Sequence, residues 1–330
     1  MPEVIDATSH IGTDRFVEEL EKVHPTSELD SLKNAPRMFE VDERIDYLDR
    51  YGIDRQVINL VAPMIWNGLD PEKGVDATRV GNDEIRRIAD EHPDRFIPTG
   101  TVPFLTGEYV DEARRCVEDL DMKGIQIFSN IDGRMLDDDD FEEFYATMND
   151  LDVPIWIHPQ VYDWHDYDQG HTWIYKMLAW PFDTSVAVAR LIFSGIMDRY
   201  ENLEIMTHHL GGTLPYLVGR MHSWYQTRRE EPELYQNPQM ADLSEPLEAY
   251  FDRIYGDTAV SPYKGETYPL ECGLEFFGDD NVVYSADYPF GPDKGEFWTQ
   301  ELLPMLEELD VSEETREKIL SGNIKRVLDL

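Results

Sequence analysis

The chain has 330 residues, 41% hydrophobic and 12% aromatic, enough to bury a sizeable core and too many for a disordered chain. Lys and Arg number 29 against 68 Asp and Glu, and the formal charge of −39 argues against nucleic acid or anionic lipid as a partner. No apolar run reaches the ~18 residues of a membrane-spanning helix, and Cys116 and Cys272 make neither a disulfide framework nor a cysteine-based zinc site.

Taken in chain order, eight short apolar or β-branched runs read as strands: Glu3–Asp6, Gln56–Val61, Phe96–Thr101, Gly124–Phe128, Pro154–His158, Leu203–Thr207, Ile254–Asp257 and Val282–Ser285. Helical patterns lie between them, at Asn82–Glu91, Tyr109–Leu120, Phe141–Leu151, Val186–Tyr200, Leu214–Gln226, Pro246–Phe251 and Phe297–Leu309. A closing helix runs from about Glu313 to Leu328. Strands alternating with helices predict a parallel sheet, and eight such units predict its closure into a (β/α)8 TIM barrel. Long insertions follow strand one (Gly12–Ala35) and strand five (Gln160–Lys176), on the side where barrel active sites are built. No linker divides the chain, so residues 1–330 are expected to form one domain.

The N-terminus, Met1-Pro2-Glu3-Val4-Ile5-Asp6, has neither a basic stretch nor an apolar one, so no secretory signal is expected and a reducing cytoplasm fits. Both cysteines are expected to be buried. The carboxylates are spread along the whole sequence, densest at Asp137-Asp138-Asp139-Asp140, which is expected to be a solvated loop. Nine lysines stand against twenty arginines. At ~1 M salt the Debye length shrinks to ~3 Å and self-repulsion largely disappears. The composition therefore predicts a salt-adapted protein of a high-salt cytoplasm.

The nine histidines sort by position against the strands. His10 follows strand one, His158 ends strand five, and His208 and His209 end strand six. Asp287 follows strand eight in Tyr284-Ser285-Ala286-Asp287-Tyr288-Pro289-Phe290. A single histidine near a strand end is more often structural than a ligand. These residues, however, come from matching ends of strands that a barrel would bring to one mouth. Imidazoles with one carboxylate suit Zn²⁺ or another divalent ion with an open position. His165 and His171, in the second insertion, are candidates for the pocket lining. His24 and His92 are expected at the surface. There is no Gly-x-Ser-x-Gly elbow, and no glycine-rich dinucleotide or phosphate loop.

Five motifs carry a resemblance. They are Ile5-Asp6-Ala7-Thr8-Ser9-His10, Ile157-His158-Pro159-Gln160, Thr207-His208-His209-Leu210-Gly211-Gly212, Ser285-Ala286-Asp287-Tyr288-Pro289-Phe290, and a Gly-Asn-x-x-Arg-x-Leu from Gly322 to Leu328. Over essentially its whole length the chain resembles the amidohydrolase-related metal-dependent decarboxylases typified by 2-amino-3-carboxymuconate 6-semialdehyde decarboxylase. The resemblance implies one divalent metal, zinc ahead of manganese, on His10, His158 and Asp287. It implies that His209 is the catalytic histidine, acting on metal-bound water and substrate; Asp287, besides ligating, is expected to accept a proton if it lies within hydrogen-bond reach of both. It implies that Arg44, in Glu43-Arg44-Ile45-Asp46, binds the substrate. Arg220, eleven residues after His209, would reach a substrate carboxylate in the neighbouring subunit, which makes a homodimer necessary. Trp173 would be an aromatic pocket wall. A plain helix-surface salt bridge is the other reading of Arg44 and Arg220.

One position departs from the family. Its first motif is usually Asp-x-His-x-His, or carries glutamate at the first metal position, where this chain has Thr8, a poor ligand. Three arrangements follow: His10, His158 and Asp287 with water, His208 or another side chain substituting, or loss of the metal. The implied activity is decarboxylation of an unsaturated or aromatic carboxylic acid. The alternatives are hydrolysis of a lactone, ester or amide, with or without metal, and a non-catalytic barrel that binds a small acid. CO2 release against net addition of water separates the first two.

Overall fold

Eight strands, all parallel, close on one another in sequence order. They are β1 Ile5–Ile11, β2 Arg55–Leu60, β3 (Phe96–Pro98 with Gly100–Thr101), β4 Ile125–Phe128, β5 Ile155–His158, β6 Ile205–Thr207, β7 Ile254–Asp257 and β8 Val282–Val283. Each pairs with the next in parallel register. The ring is completed between the ends. Ser9 forms a parallel bridge with Tyr288, the Ala7 N–H donates to the Tyr284 carbonyl at 2.8 Å, and the His10 N–H donates to the Tyr288 carbonyl at 2.9 Å. This is a (β/α)8 barrel. The computed structural model describes residues 2–60, 63–160, 174–233, 240–260 and 266–330. Among them no helix is long and apolar enough to cross a membrane.

All eight expected runs become strands, but the first continues through Ile11, so His10 lies within β1 and not beyond it. The helices differ more. Asn82–Glu91 is the second half of a helix over Pro71–Glu91, which the Asp70 carboxylate caps and Pro71 begins. The patterns miss Val41–Tyr51 and Tyr268–Phe277. Val186–Tyr200 is interrupted at Gly195 (φ +80°), giving Trp180–Phe193 and Ile196–Arg199. The first insertion is ordered: Thr13 and Thr26 cap helices Asp14–Val23 and Ser27–Lys33, and Phe16, Val17 and Leu20 are buried. In the second insertion, residues 161–173, with His165, His171 and Trp173, lie outside the described residues. Cys116 is buried as expected, whereas Cys272 is exposed. The acidic run is partly paired: Arg190 meets Asp137, and Arg134 meets Asp138 and Asp140 at 2.5 Å each.

The barrel interior begins with an apolar floor. Ile5, Ala7, Val57, Ile97, Trp156, Met206, Tyr255 and Val283 form one buried cluster, closed below by Ile324 and Leu328 of the last helix, Asn323–Leu328. Trp156 fits because Gly124 faces it: a Cβ there would lie 2.4 Å from the indole.

Above this floor β1 breaks its register. Asp6 stands opposite Gln56 and Ser9 opposite Ile58, so Ala7 and Thr8 together face Val57 in a β-bulge. Strict alternation from Ile5 and Ala7 would turn His10 outward. The additional residue reverses the parity and points His10 into the barrel.

Side chains hold the bulge. The fully buried Arg44 guanidinium donates to Ser9 Oγ (3.1 Å), Gln56 Oε1 (2.8 Å) and the His10 carbonyl. Gln56 Nε2 donates to Asp6 Oδ2 at 2.8 Å, and Asp6 Oδ1 accepts the Thr8 N–H at 3.3 Å. Ser9 Oγ donates to the Val57 carbonyl, and Ser285 Oγ donates to that of Thr8. Burial pushes the guanidinium down to about 10, so it stays cationic at neutral pH.

Replacing Arg44 by Met keeps much of the stem volume but strips Ser9, Gln56 and the His10 carbonyl of their donor. We expect equilibrium urea unfolding to show a loss of about 3–5 kcal/mol, the scale for removing one member of a buried charged network. A loss below about 1 kcal/mol would mean that the bulge is held by other contacts.

Candidate metal centre and active site

One step above the floor, the same inward-facing rows of the strands turn polar. His158 follows Trp156 by two residues, His208 follows Met206 by two, and Asp257 follows Tyr255 by two. His10 joins them through the bulge. One donor nitrogen from each of His10, His158 and His208 lies within 4.8 Å of the others. The ring centroids are 4.9 Å apart for His10 and His158, 4.7 Å for His158 and His208, and 5.7 Å for His10 and His208. The His158 Nδ1 stands 2.8 Å from the Pro159 carbonyl, a contact that places its proton there and leaves Nε2 as the free donor. Among the described residues, no nitrogen of His10 or His208 has a hydrogen-bond partner.

Asp287 and His209 flank the cluster. Asp287 Oδ1 is 3.3 Å from His10 Nε2, and its Oδ2 is 3.9 Å from His209 Nε2. Both residues adopt left-handed backbone conformations, φ +53° and +54°. For His209 this opens a left-handed run through Leu210, Gly211 and Gly212. At Gly212 a Cβ would sit 2.0 Å from the Pro181 carbonyl oxygen, so the turn packs on helix Trp180–Phe193 only without a side chain. Asp257 ties the turn to β7, accepting the His209 N–H at 2.8 Å and the Ala259 N–H at 3.0 Å on Oδ1. Non-glycine residues held this way persist only where the surroundings enforce them, and they concentrate at functional sites.

The electrostatics divide the group. Burial, reinforced by neighbouring imidazoles, lowers His158 to about 3 and His208 well below its ordinary value, so both are neutral at pH 7. Burial alone would raise Asp287, but His10 and His209 hold its carboxyl far below the usual range. Burial alone would lower His209, but Asp287 overrides it and favours the imidazolium. Burial pushes Asp257 up to about 7. His209 is also the accessible imidazole: 16% of its side chain is exposed, against 0% for His10 and 1% for His208. Converging imidazole nitrogens, two of the rings held neutral, beside an ionised carboxylate fit a first-row divalent ion.

The Amidohydrolase family model matches residues 5–330. The chain belongs to the amidohydrolase family. Among its relatives, 2-amino-3-carboxymuconate-6-semialdehyde decarboxylase of Dictyostelium discoideum is 29% identical over 295 residues, 88% of this chain and 77% of that one. Gamma-resorcylate decarboxylase of Rhizobium sp. is 27% identical over 264 residues, 76% of each. The barrel of this amidohydrolase superposes on 5-carboxyvanillate decarboxylase of Sphingomonas paucimobilis with a TM-score of 0.85 at 21% identity, covering 100% of both chains. The Novosphingobium aromaticivorans enzyme of that name, crystallised with manganese and 4-hydroxy-3-methoxy-5-nitrobenzoic acid, gives 0.84 at 23% identity, covering 100% of this chain and 96% of that one.

Of the residues singled out in the sequence, His10, His158, His209 and Asp287 come together, with His208 inside the same cluster. Arg44 does not face this mouth. It was expected to meet a substrate, but it is enclosed, committed to Ser9, Gln56 and His10, and lies over the Tyr288 ring at 4.8 Å. Nor is it a surface salt bridge. Arg220 is exposed on helix Leu214–Glu230, 6.0 Å from the Trp224 ring. Trp173 lies outside the described residues. Sequence reasoning missed Asp257, Trp180 (5.6 Å from the His158 ring) and Asn59, a fully buried amide without a partner among the described residues. Asp257 and Asn59 share the inward rows of Tyr255 and Val57, so strand parity was the available signal.

Protein purified without added metal is expected to carry about one equivalent of divalent ion per chain by elemental analysis, lost in His158→Ala. Equal metal in both samples would place the ion elsewhere.

Proposed function

We propose that this amidohydrolase is a carboxy-lyase that releases CO2 from an aromatic or unsaturated carboxylic acid, the whole chain acting as one domain. The observation that carries the reading is the His209–Asp287 pair at the mouth, poised to hold a proton beside the cluster of His10, His158 and His208. The names of the relatives and structural neighbours, decarboxylases of such acids, support it.

A divalent ion held by His10, His158 and their neighbours would polarise the substrate carboxylate or an adjacent oxygen. His209 holds its proton at Nε2 against Asp287 Oδ2 and delivers it to the carbon that bears the carboxylate. The electron pair of the breaking C–C bond stays with that carbon, so the products are CO2 and the protonated acid skeleton. Asp287 keeps His209 charged until transfer. Trp180 stands against His158 and offers a flat wall to a ring. Trp173 is a second candidate for that wall, and Lys176, in the field of Asp287, brings positive charge to the mouth. Imidazole-rich donors favour zinc over manganese.

Incubation with a panel of hydroxybenzoic and unsaturated acids is expected to release CO2. His209→Asn should lower kcat about 10²–10⁴-fold with metal content unchanged. Because Asp287 raises His209, the proton donor stays loaded above its ordinary value of 6.5, and kcat should fall only as pH climbs past the raised value. Net addition of water to a lactone or ester, without CO2, would replace this reading with hydrolysis.

The assembly is proposed to be a homodimer in a high-salt cytoplasm, with Arg220 reaching the partner's site. Helix Leu214–Glu230 supports this: over seventeen residues it buries only Leu214 and Tyr225, and it exposes Tyr216 and Trp224 beside Arg220. A charge of −39 on each chain opposes such contact unless salt screens it. Sedimentation is expected to find a dimer at ~1 M KCl that loosens near ~0.1 M. Arg220→Ala should raise KM without dissociating the dimer. A monomer at both salt concentrations would rule out the shared site.

A further inference from the structure

Thr8 leaves this chain one ligand short of the usual first motif. The Thr8 backbone is committed to the bulge, through Asp6 Oδ1 and Ser285 Oγ. Across the barrel, His208 is fully buried in the inward row of β6. Neither of its nitrogens has a partner among the described residues, and it shares the donor cluster of His10 and His158. Two donors on one ion, with bonds of about 2.1 Å, stand at most about 4.2 Å apart. A 4.8 Å spread is thus within roughly half an ångström of closure.

Asp257 supplies the second observation. Its Oδ1 accepts the His209 and Ala259 N–H groups, while its buried Oδ2 has no hydrogen-bond partner among the described residues and lies 3.8 Å from His208 Nδ1. Metal-binding histidines regularly turn their second nitrogen to such a carboxylate.

We propose that His208 takes the ligand position Thr8 cannot fill, binding the ion through Nε2, with Asp257 as the positioning residue that holds the proton on Nδ1. The centre is then three imidazoles from β1, β5 and the end of β6, with Asp287 adjoining through His10. This rests on the reading of the site as a divalent-ion centre. A neutral third ligand in place of a glutamate also leaves the bound ion one unit more positive, which favours an anionic substrate in a chain of this charge.

Zn²⁺ affinity, measured by competition with a chromophoric chelator, tests the assignment without reference to turnover. His208→Gln should weaken binding at least ~100-fold, and Asp257→Asn about 10–100-fold, with circular dichroism unchanged. Thr8→Ala should stay within about twofold. X-ray absorption of the zinc-loaded wild type needs no variant and should fit three imidazoles. A fit to two, or wild-type affinity in His208→Gln, overturns the assignment while leaving the carboxy-lyase reading intact. Wild-type protein that binds no Zn²⁺ overturns both. Loss of affinity in His208→Gln with none in Asp257→Asn overturns the role of Asp257.

Discussion

The site depends on a buried guanidinium that never faces it. Arg44 reaches from helix Val41–Tyr51 into the wall of the barrel and satisfies the carbonyl of His10, the hydroxyl of Ser9 and the amide of Gln56. The first is a backbone group of the bulged strand and the other two are buried side-chain groups that flank it, and an unmade hydrogen bond at any of them is expensive. Once they are satisfied, β1 can carry its additional residue, His10 turns inward, and the imidazoles of three strands meet. Asp6 belongs to the same device: its carboxylate closes the bulge from within the strand and receives Gln56 on its other oxygen.

Much of this fold was open to sequence reasoning because parallel barrel strands are short, apolar and bounded. Ile155–His158 and Ile254–Asp257 differ by a residue or less from the expected runs. Position at strand ends likewise brought out His158, His209 and Asp287. What escaped was local chirality and parity. Nothing in Ile5-Asp6-Ala7-Thr8-Ser9-His10 announces a bulge, since alternation predicts the opposite face for His10 and only pairing with β2 reveals the shift. Arg44 misled for a related reason. Its place in the motif agrees with a substrate-binding arginine, but burial and partner geometry, which no spacing encodes, give it to the wall. Helix Val41–Tyr51 itself escaped because its polar composition hides the few residues, Arg44, Tyr47 and Leu48, that it buries.

The charge distribution follows a division of labour between depths. The outer surface holds most of the carboxylates, and many are answered by arginines, as at Arg134 and Arg87. Inside the mouth the order is reversed. His158 and His208 are kept neutral by burial, the carboxylate of Asp287 is kept ionised, and His209 is drawn towards its cationic form. Adjacent titratable groups pushed in opposite directions define distinct acid and base roles at one pH. The apolar floor beneath, with Trp156 and Met206 directly under His158 and His208, keeps that contrast strong by excluding water from below.

The bulge in β1 also bears on how such a barrel changes over generations. Because it consists of a single surplus residue, a three-nucleotide deletion at Thr8 would restore an even pleat while keeping Ser9 opposite Ile58 and His10 on the inward face. Ala7 and the rest of the floor, the helices and the other seven strands would be untouched. A barrel of this kind can therefore shed one residue from its first strand without losing its imidazole cluster, a change of length that leaves the chemistry in place.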